Sequence, residues 1–378
     1  MARNSSWMLI VSVTVLVALG LVMLMSVGAY TPANKGDATY FVLRQGIYLA
    51  LGLVAAAVAM RWDYHHWMRA YWIILGLAVF ALALCWVPGL GLHVKGSNRW
   101  VNLGFTTFQP GEIAKLAVVV FLAAWLGRHQ RRAGAFLPCF AIPLLVVGVP
   151  AALVLSTQDL GTTALLLALA VLMMFVAGTK LRYLAPVPIL GLAGLLGLAL
   201  FMPQRLGRLQ AFLDPEAHQQ GAGYQVWQSL IALGSGGLQG LGLGNSVQKF
   251  FYLPEPHNDF ILAVAGEELG MVCTVAVVLF FLLIAISGGI IAWKAPDPQG
   301  ALLALGLTAL ISLQAIINIG VVTGLLPTKG MGLPFISYGG TNLVVVLASI
   351  GILLNINRQA VSLRPGPKSN LPALNVRM

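Results

Sequence analysis

The sequence predicts an all-α polytopic membrane protein with about ten transmembrane helices, on three observations. Charged residues make up 9% of the 378 residues, whereas a soluble domain carries about 25%. Apolar runs of about 20 residues, long enough to cross a bilayer as helices, recur along the chain. Tryptophan and tyrosine residues near the ends of these runs, such as Trp7 and Trp100, are typical of interfacial anchors. The first run, after Arg3, is too long for a signal peptide and is interpreted as helix 1.

Ten apolar segments define the predicted spans. An even number of spans returns the chain to the side on which it began, so both termini are predicted to be cytoplasmic. The predicted organisation is one transmembrane domain over 1–360, with a large extracytoplasmic loop (203–258) between helices 7 and 8, and a cytoplasmic tail over 361–378. The spans are placed at 7–29, 41–60, 70–88, 112–127, 137–155, 160–177, 183–202, 271–293, 300–324 and 336–356.

The distribution of charge sets the predicted orientation. With cytoplasmic termini, the inner side holds 13 of the 22 basic residues but only two of the 11 acids, Asp63 and Asp297, as the positive-inside rule requires. The net charge of +11 is therefore a topology signal. No basic soluble segment is present that would bind nucleic acid. The other nine acids gather on the predicted outer face, and any chemistry is expected there.

The first outer loop, 89–111, runs into helix 4 with several polar residues. Arg99 beside Trp100 is either an interfacial anchor or a guanidinium that binds a phosphate or carboxylate. Glu112 and Lys115 share one face of helix 4, as a local salt bridge or as a functional pair at the membrane boundary.

Two further segments have alternative interpretations. Asp159, at the start of helix 6, is either an N-cap or a polar contact in an outward cavity. The glycine-rich stretch 234–244 lacks the Gly-Lys-Ser/Thr ending of a P-loop. It is interpreted as a bent segment that lets the backbone approach a ligand.

The segment FYLPEPHNDFILAVAGEELG (251–270) contains four of the 11 acids. Its prolines favour an extended backbone, after which a short helix is expected from Asn258 or Asp259 to a stop at Gly270. Asp259 is then an N-cap or a reactive carboxylate at the helix mouth. Glu267 and Glu268 are expected to pair with Lys or Arg elsewhere in the bundle.

The last outer loop, 325–340, carries Lys329, which either snorkels to the interface or binds an anion. On the preceding span, Gln314 and Asn318 share one helix face, which favours interhelical hydrogen bonds. The cysteines Cys85, Cys139 and Cys273 lie in apolar segments and predict neither a disulfide framework nor a metal site.

Four of these segments resemble, in order along nearly the whole chain, the motifs of the SEDS family of bacterial cell-wall proteins (FtsW, RodA and SpoVE). Two departures are present: Thr157-Gln158 precedes Asp159 where the family often has Gln-Pro, and Thr341-Asn342 replaces a common Ser-Ser. The Thr-Lys-Gly of the last motif is more similar to the FtsW division branch. The four segments are GSNRWVNLGFTTFQPGEIAKLA, GAGYQVWQSLIALGSGGLQGLGLGNSVQK, YLPEPHNDFILAVAGEELG and LPTKGMGLPFISYGGTN.

The resemblance implies a peptidoglycan glycosyltransferase that polymerises lipid II into β-1,4-linked glycan strands, in cell division or elongation. Its location would be the outer face of the bacterial cytoplasmic (inner) membrane. The resemblance assigns the catalytic base to Asp259. Substrate-binding roles are expected for Arg99, Trp100, Gln109, Glu112, Lys115, Asp159, Lys249, Glu255, His257, Glu268, Lys329, Ser337 and Tyr338.

The resemblance also implies partners. A class B penicillin-binding protein and other division or elongation proteins are expected beside lipid II and the membrane. No tightly bound cofactor or metal is expected, although a divalent cation could bridge diphosphate and carboxylates. The alternatives are a lipid II flippase or transporter and a scaffold that recruits a penicillin-binding protein. A transporter would favour charged residues deep in several spans, whereas the acids here cluster at the outer edge.

Overall fold

Helices dominate the structure, and each of the ten predicted spans coincides with one. The computed structural model describes residues 2–29, 37, 39–94, 97–102, 104, 107–201, 207, 210–214, 216–221, 223–249, 253–254 and 256–362. Helices α1 to α13 span Ala2–Gly28, Thr39–Arg61, Tyr64–Arg69, Tyr71–Ala83, Pro110–Arg128, Ile142–Ser156, Leu160–Val176, Leu181–Leu184, Pro186–Phe201, Tyr224–Ser235, Ile261–Lys294, Pro298–Val322 and Gly340–Ser362.

Seven helices of the described chain are long and apolar enough to cross a membrane. They are α1, α2, α5, α6 with the π-helical turn Leu137–Ala141 before it, α11, α12 and α13. At the other three predicted spans, α4, α7 and α9 are shorter, with 13, 17 and 16 residues. The chain is therefore a multi-pass helical membrane protein, as the hydropathy pattern predicted.

The first outer loop contains a small antiparallel sheet that was not predicted from the sequence. Strand β1 (Gly91–Val94) pairs with β2 (Ser97–Asn102), which in turn pairs with β3 (Thr107–Phe108). The strands have two to six residues. A search for apolar runs of about 20 residues does not detect elements this short. The sheet gives Arg99 and Trp100, both on β2, a fixed backbone.

Helix α5 forms the centre of the bundle. Nearly every residue from Pro110 to Leu126 is buried, because α5 packs against α4, α7 and α12. Helices α2 and α11 instead expose apolar side chains such as Leu51 and Leu279. A helix that is apolar all round is buried, and exposed apolar faces on a membrane protein are expected to contact lipid.

Contacts between distant segments define two ends of the bundle. At one end, here called the site end, Ser26 contacts Glu268 and Gln45 contacts Ser337. At the opposite end, Ser6 contacts Asn357. The site end gathers the connections that the charge pattern assigns to the outer face. The opposite end gathers those assigned to the inner face.

Helix α11 is broken at Gly270, whose φ of 77° and ψ of −176° are not helical. The break separates a first segment, 261–269, from the long apolar part, as the predicted stop at Gly270 requires. The backbone groups freed by the break are taken up by the glycine-rich stretch. The amides of Leu241 and Gly242 donate to the carbonyls of Glu267 and Glu268, each at 2.9 Å.

The glycine-rich stretch therefore contacts the protein's own helix, and the expectation that it approaches a ligand stays a prediction. A side chain at Gly270 would place its Cβ 2.4 Å from the Leu238 carbonyl oxygen. One at Gly240 would lie 2.2 Å from the Glu268 carbonyl oxygen. These glycines let two backbones approach more closely than any side chain allows.

Candidate functional site

Asp259 lies in the turn immediately before α11. Phe260, not Asp259, takes the N-cap position, so the N-cap interpretation of Asp259 is wrong. The residue is partly exposed, and its backbone carbonyl accepts a 2.8 Å hydrogen bond from Asn318 Nδ2. Because Asn318 is buried in α12, the turn is held firmly while the residue stays partly open to its surroundings.

The Asp259 carboxylate and the Arg99 guanidinium both lie next to Gly330. A Cβ at position 330 would lie 3.3 Å from Asp259 Oδ2 and 3.7 Å from Arg99 Nη1. Two charged groups from segments 160 residues apart in sequence thus flank one exposed glycine. The arrangement places a carboxylate and a cation within reach of the same small molecule.

Arg99 is oriented by the first residues of α7 and the turn before them. Its Nη2 donates to the Gln158 carbonyl oxygen at 2.7 Å, and its Nη1 lies 4.0 Å from Asp159 Oδ2. Asp159 caps α7 by accepting from the Thr162 amide at 3.0 Å, so the N-cap interpretation is confirmed. The same carboxylate also contributes negative charge to the site.

Lys329 lies beside Asp159. A Cβ at Gly161 would be 3.6 Å from both Asp159 Oδ1 and Lys329 Cβ. Burial lowers the pKa of Lys329, and the nearby Asp159 charge opposes that change. Arg99 and Lys329 therefore form two cationic positions that share Asp159 as a neighbour.

A buried polar chain lies behind this site. Lys115 Nζ contacts Glu112 Oε2 at 2.7 Å and Gln314 Oε1 at 2.9 Å. Glu112 Oε2 also accepts from Asn342 Nδ2 at 2.6 Å. With Glu112 and Lys115 both buried, this ion pair joins α5 to α12 and α13. The geometry matches the local salt bridge interpretation.

The polar chain continues into the loop that carries Lys329. Gln314 Nε2 donates to the Gly332 carbonyl at 3.0 Å, and Asn318 Nδ2 donates to the Met331 carbonyl at 2.8 Å. The prediction of hydrogen bonds from this face of α12 is confirmed. These two amides fix Asp259 and the loop around Gly330 relative to each other.

His257, Ser337 and Tyr338 form a second side of the site. The Tyr338 amide donates to the His257 carbonyl at 2.9 Å. Phe41 of α2 stacks on the His257 ring at 4.3 Å and meets the Tyr338 ring edge-on at 4.9 Å. Ser337 Oγ accepts from the Leu333 amide at 2.7 Å, so it closes a turn. This aromatic cluster joins α2 to the site.

Lys249 and Glu268 form a buried ion pair away from Gly330, with Nζ to Oε1 at 3.0 Å and both side chains fully buried. Ser26 Oγ donates to Glu268 Oε1 at 2.7 Å. Glu267 accepts from the Val247 amide at 3.0 Å. The predicted pairing of Glu268 with a basic residue is confirmed, whereas Glu267 accepts from Ser246 Oγ and from backbone amides instead of the predicted Lys or Arg. The two acids tie the segment 246–249 to α11 and α1.

Two other predicted substrate-binding residues, Trp100 and Gln109, lie in the first outer loop. Trp100 lies on β2 opposite Leu92 and is partly buried. Gln109 precedes α5, and its amide donates to Thr341 Oγ1 at 3.2 Å. Glu255 lies outside the described residues. Within those residues, no three His, Cys, Asp or Glu side chains are grouped to hold a metal ion.

Several neutral residues that organise the site were not predicted from the sequence. Asn342, Gln45 and Ser26 each bind a site residue or its loop. Each interrupts a predicted apolar helix or lies at its end, and a polar amide or hydroxyl in such a position is itself a signal of an interhelical contact.

Fold and site together define a multi-pass helical membrane protein with two carboxylates, Asp259 and Asp159, and two cations, Arg99 and Lys329, gathered at one end of its bundle. The FTSW_RODA_SPOVE family model, described as cell cycle protein, matches residues 6–362. The chain belongs to this family, as its motifs predicted.

Curated relatives cover most of the chain. A probable peptidoglycan glycosyltransferase FtsW of Thioalkalivibrio sulfidiphilus is 44% identical, covering 94% of this chain and 90% of its own. One from Geobacter sp. (strain M18) is 42% identical, covering 91% and 94%. The stage V sporulation protein E of Bacillus subtilis is 39% identical, covering 94% and 98%.

Solved structures share the fold. A chain from a structure described as "Structural coordination of polymerization and crosslinking by a peptidoglycan synthase complex" matches with a TM-score of 0.78 and 28% identity, covering 94% of this chain and 98% of that chain. The rod shape determining protein RodA of Thermus thermophilus matches with a TM-score of 0.69 and 29% identity, covering 94% and 97%. None of these names favours the transporter or scaffold alternatives.

Proposed function

We propose that the chain is a peptidoglycan glycosyltransferase that polymerises lipid II, with Asp259 as the catalytic base. The names of its curated relatives support this activity. The assignment of the site is supported by one observation: the Asp259 carboxylate and the Arg99 guanidinium both flank Gly330. A glycosyl transfer from a diphosphate needs both groups: a base for the acceptor hydroxyl and a cation for the leaving group.

Asp259, Arg99 and Lys329 account for the proton and the charge that the reaction transfers. The acceptor hydroxyl oxygen of one lipid-linked sugar forms a bond to C1 of another, and the C1–oxygen bond to the diphosphate breaks with inversion. The proton of the hydroxyl passes to Asp259. Arg99 and Lys329 stabilise the negative charge that develops on the departing diphosphate.

The setting of the chain is also proposed. The chain would act at the outer face of the bacterial inner membrane beside a class B penicillin-binding protein, which the complex described for one structural neighbour supports. Identities of 39–44% to FtsW and stage V sporulation proteins favour the division and sporulation branch. The chain itself would hold no tightly bound cofactor, and any divalent cation would arrive with the diphosphate.

Purified full-length protein, alone and with its penicillin-binding partner, tests the proposal in a lipid II polymerisation assay. Asp259→Asn keeps the size of the side chain but removes the base, so polymerisation is expected to fall by roughly 10²- to 10⁴-fold. Asp214→Asn is the matched control, because Asp214 is an exposed acid of the same connection. Equal glycan synthesis by Asp259→Asn and the wild type would refute the assignment.

A further inference from the structure

A third cationic position, besides Arg99 and Lys329, lies at the site end of α2. Arg44 is exposed, its guanidinium lies over the Tyr40 ring at 4.6 Å, and its charge acts on the nearby Tyr338 hydroxyl. The ion pairs among the described residues do not include Arg44. An oriented guanidinium whose charge is not neutralised by a carboxylate is suited to bind a phosphate.

The position of Arg44 is fixed relative to Asp259. One residue along α2, Gln45 donates to the Ser337 carbonyl at 3.2 Å and accepts from the Gly339 amide at 3.3 Å. The backbone amide of Tyr338, whose side chain lies near Arg44, donates to the carbonyl of His257, two residues before Asp259. Arg44 is thus held beside the catalytic turn, on the side formed by α2.

Arg44 and Arg99 approach the turn through different neighbours. Arg99 flanks Gly330 together with the Asp259 carboxylate, whereas Arg44 lies over the Tyr40 ring and near the Tyr338 side chain. Polymerisation joins two lipid-linked molecules, and each carries a diphosphate. The diphosphate that leaves is attached to the reacting carbon and must lie near the base. The diphosphate of the acceptor is separated from its reacting hydroxyl by a disaccharide.

We propose that Arg44, with Tyr40 and Tyr338, binds the diphosphate of the acceptor substrate, while Arg99 and Lys329 bind that of the donor. This assignment rests on the proposed function. It gives the protein two phosphate-binding positions that reach the turn of Asp259 through different neighbours. The ligand chemistry is a lipid-linked phosphate, and a bulk anionic phospholipid could supply the same group, so the test must separate these sources.

Binding of labelled lipid II to the full-length Asp259→Asn protein in phosphatidylcholine nanodiscs tests the proposal without turnover. Two molecules are expected to bind per chain. Adding Arg44→Gln should abolish one of the two sites or weaken it at least about tenfold, because a hydrogen bond to a charged group is worth about one such factor or more. Adding Tyr338→Phe, which keeps the ring but removes the hydroxyl, should weaken the same site less.

Arg182→Gln is the matched control. Arg182 lies over the Tyr183 ring at 4.8 Å and donates to its hydroxyl, in a connection assigned to the opposite end, so its loss should leave both sites intact. Undecaprenyl diphosphate should displace the Arg44-dependent molecule, and excess phosphatidylglycerol should not. Unchanged stoichiometry in the Arg44 variant, or equal displacement by phosphatidylglycerol, would overturn the proposal. Continued polymerisation by Asp259→Asn would instead refute the proposed function.

Discussion

At the scale of single residues, the site depends on a position that has no side chain. Gly330 separates the Asp259 carboxylate from the Arg99 guanidinium, and the space between them is open only because residue 330 ends at Cα. A contact of 3.3 Å from a new Cβ to Asp259 Oδ2 would press a methyl group against the carboxylate. The position is therefore expected to affect catalysis more than folding.

Gly330→Ala tests this expectation. The new Cβ requires the Asp259 carboxylate to give by a few tenths of an ångström. Because a displacement of about 1 Å can cost roughly 10²-fold in rate, polymerisation should fall by a smaller factor while the melting temperature changes little. Gly339→Ala serves as control, because its Cβ would meet only Asn342 Cβ at an ordinary 3.6 Å. Equal activity of the two variants would show that the space at Gly330 is not used.

The charge of Lys329 gives a pH prediction at the same scale. Burial lowers the pKa of Lys329, and the Asp159 charge raises it. Lys329 binds an anion only while protonated, so activity should decline as the pH rises through its pKa. Asp159→Asn removes the favourable charge but keeps a good N-cap, so the alkaline limb should move to lower pH.

The pH profile of kcat/KM for polymerisation measures this shift. Thr162→Val is the control, because it removes a hydroxyl that hydrogen-bonds Asp159 while leaving the Asp159 charge in place. Its alkaline limb should coincide with that of the wild type. If the alkaline limb of the kcat/KM profile does not move in Asp159→Asn, the charge of Lys329 is not used in substrate binding.

At the scale of elements, hydropathy located the helices because burial in lipid demands a long apolar run from every span. It could not locate the sheet around Arg99 or helix α10, which lie in loops where no such demand acts. The hydropathy pattern also did not indicate which element the glycine-rich stretch contacts. Six glycines in 11 residues indicate close backbone approach, but the helix that they approach is set by tertiary packing.

The close approach at Gly240 is testable. Its φ is +79° and a Cβ would lie 2.2 Å from the Glu268 carbonyl oxygen, so Gly240→Ala should destabilise the protein by more than about 1 kcal/mol. Gly244→Ala shares the positive φ of +84° but has nothing within 4 Å, and should cost less. Thermal unfolding in detergent, with hydrogen exchange at the Met271 amide, compares the two. Equal losses would mean that only the backbone conformation matters.

At the scale of the whole molecule, the charge pattern and the contacts agree on two ends. The sequence alone predicted which connections lie on the same side of the membrane. The observed contacts join connections that were assigned to the same side. It could not predict which residues meet within an end. Arg99 reaches Gln158, and Glu112 reaches Asn342, through helix packing that no local pattern encodes.

The orientation of the bundle is the remaining prediction at this scale. Asp63 and Asp297 are the only acids assigned to the inner side, and His65 bridges them at 2.7 Å and 3.2 Å. The inner surface is therefore expected to keep a strong positive excess, which the positive-inside rule places in the cytoplasm. The site end must then face outward. A reaction of lipid-linked sugars on that face would have to proceed without ATP.

Cysteine labelling in intact cells tests this orientation. Arg131→Cys and Asp214→Cys, both at exposed positions, would each be made in a chain from which the three native cysteines are removed. A membrane-impermeant maleimide should label the Asp214 variant directly and the Arg131 variant only after permeabilisation. The reverse pattern would place the Asp259 carboxylate on the cytoplasmic side and make outer-face polymerisation physically untenable. Labelling of both variants before permeabilisation would contradict the two-ended arrangement itself.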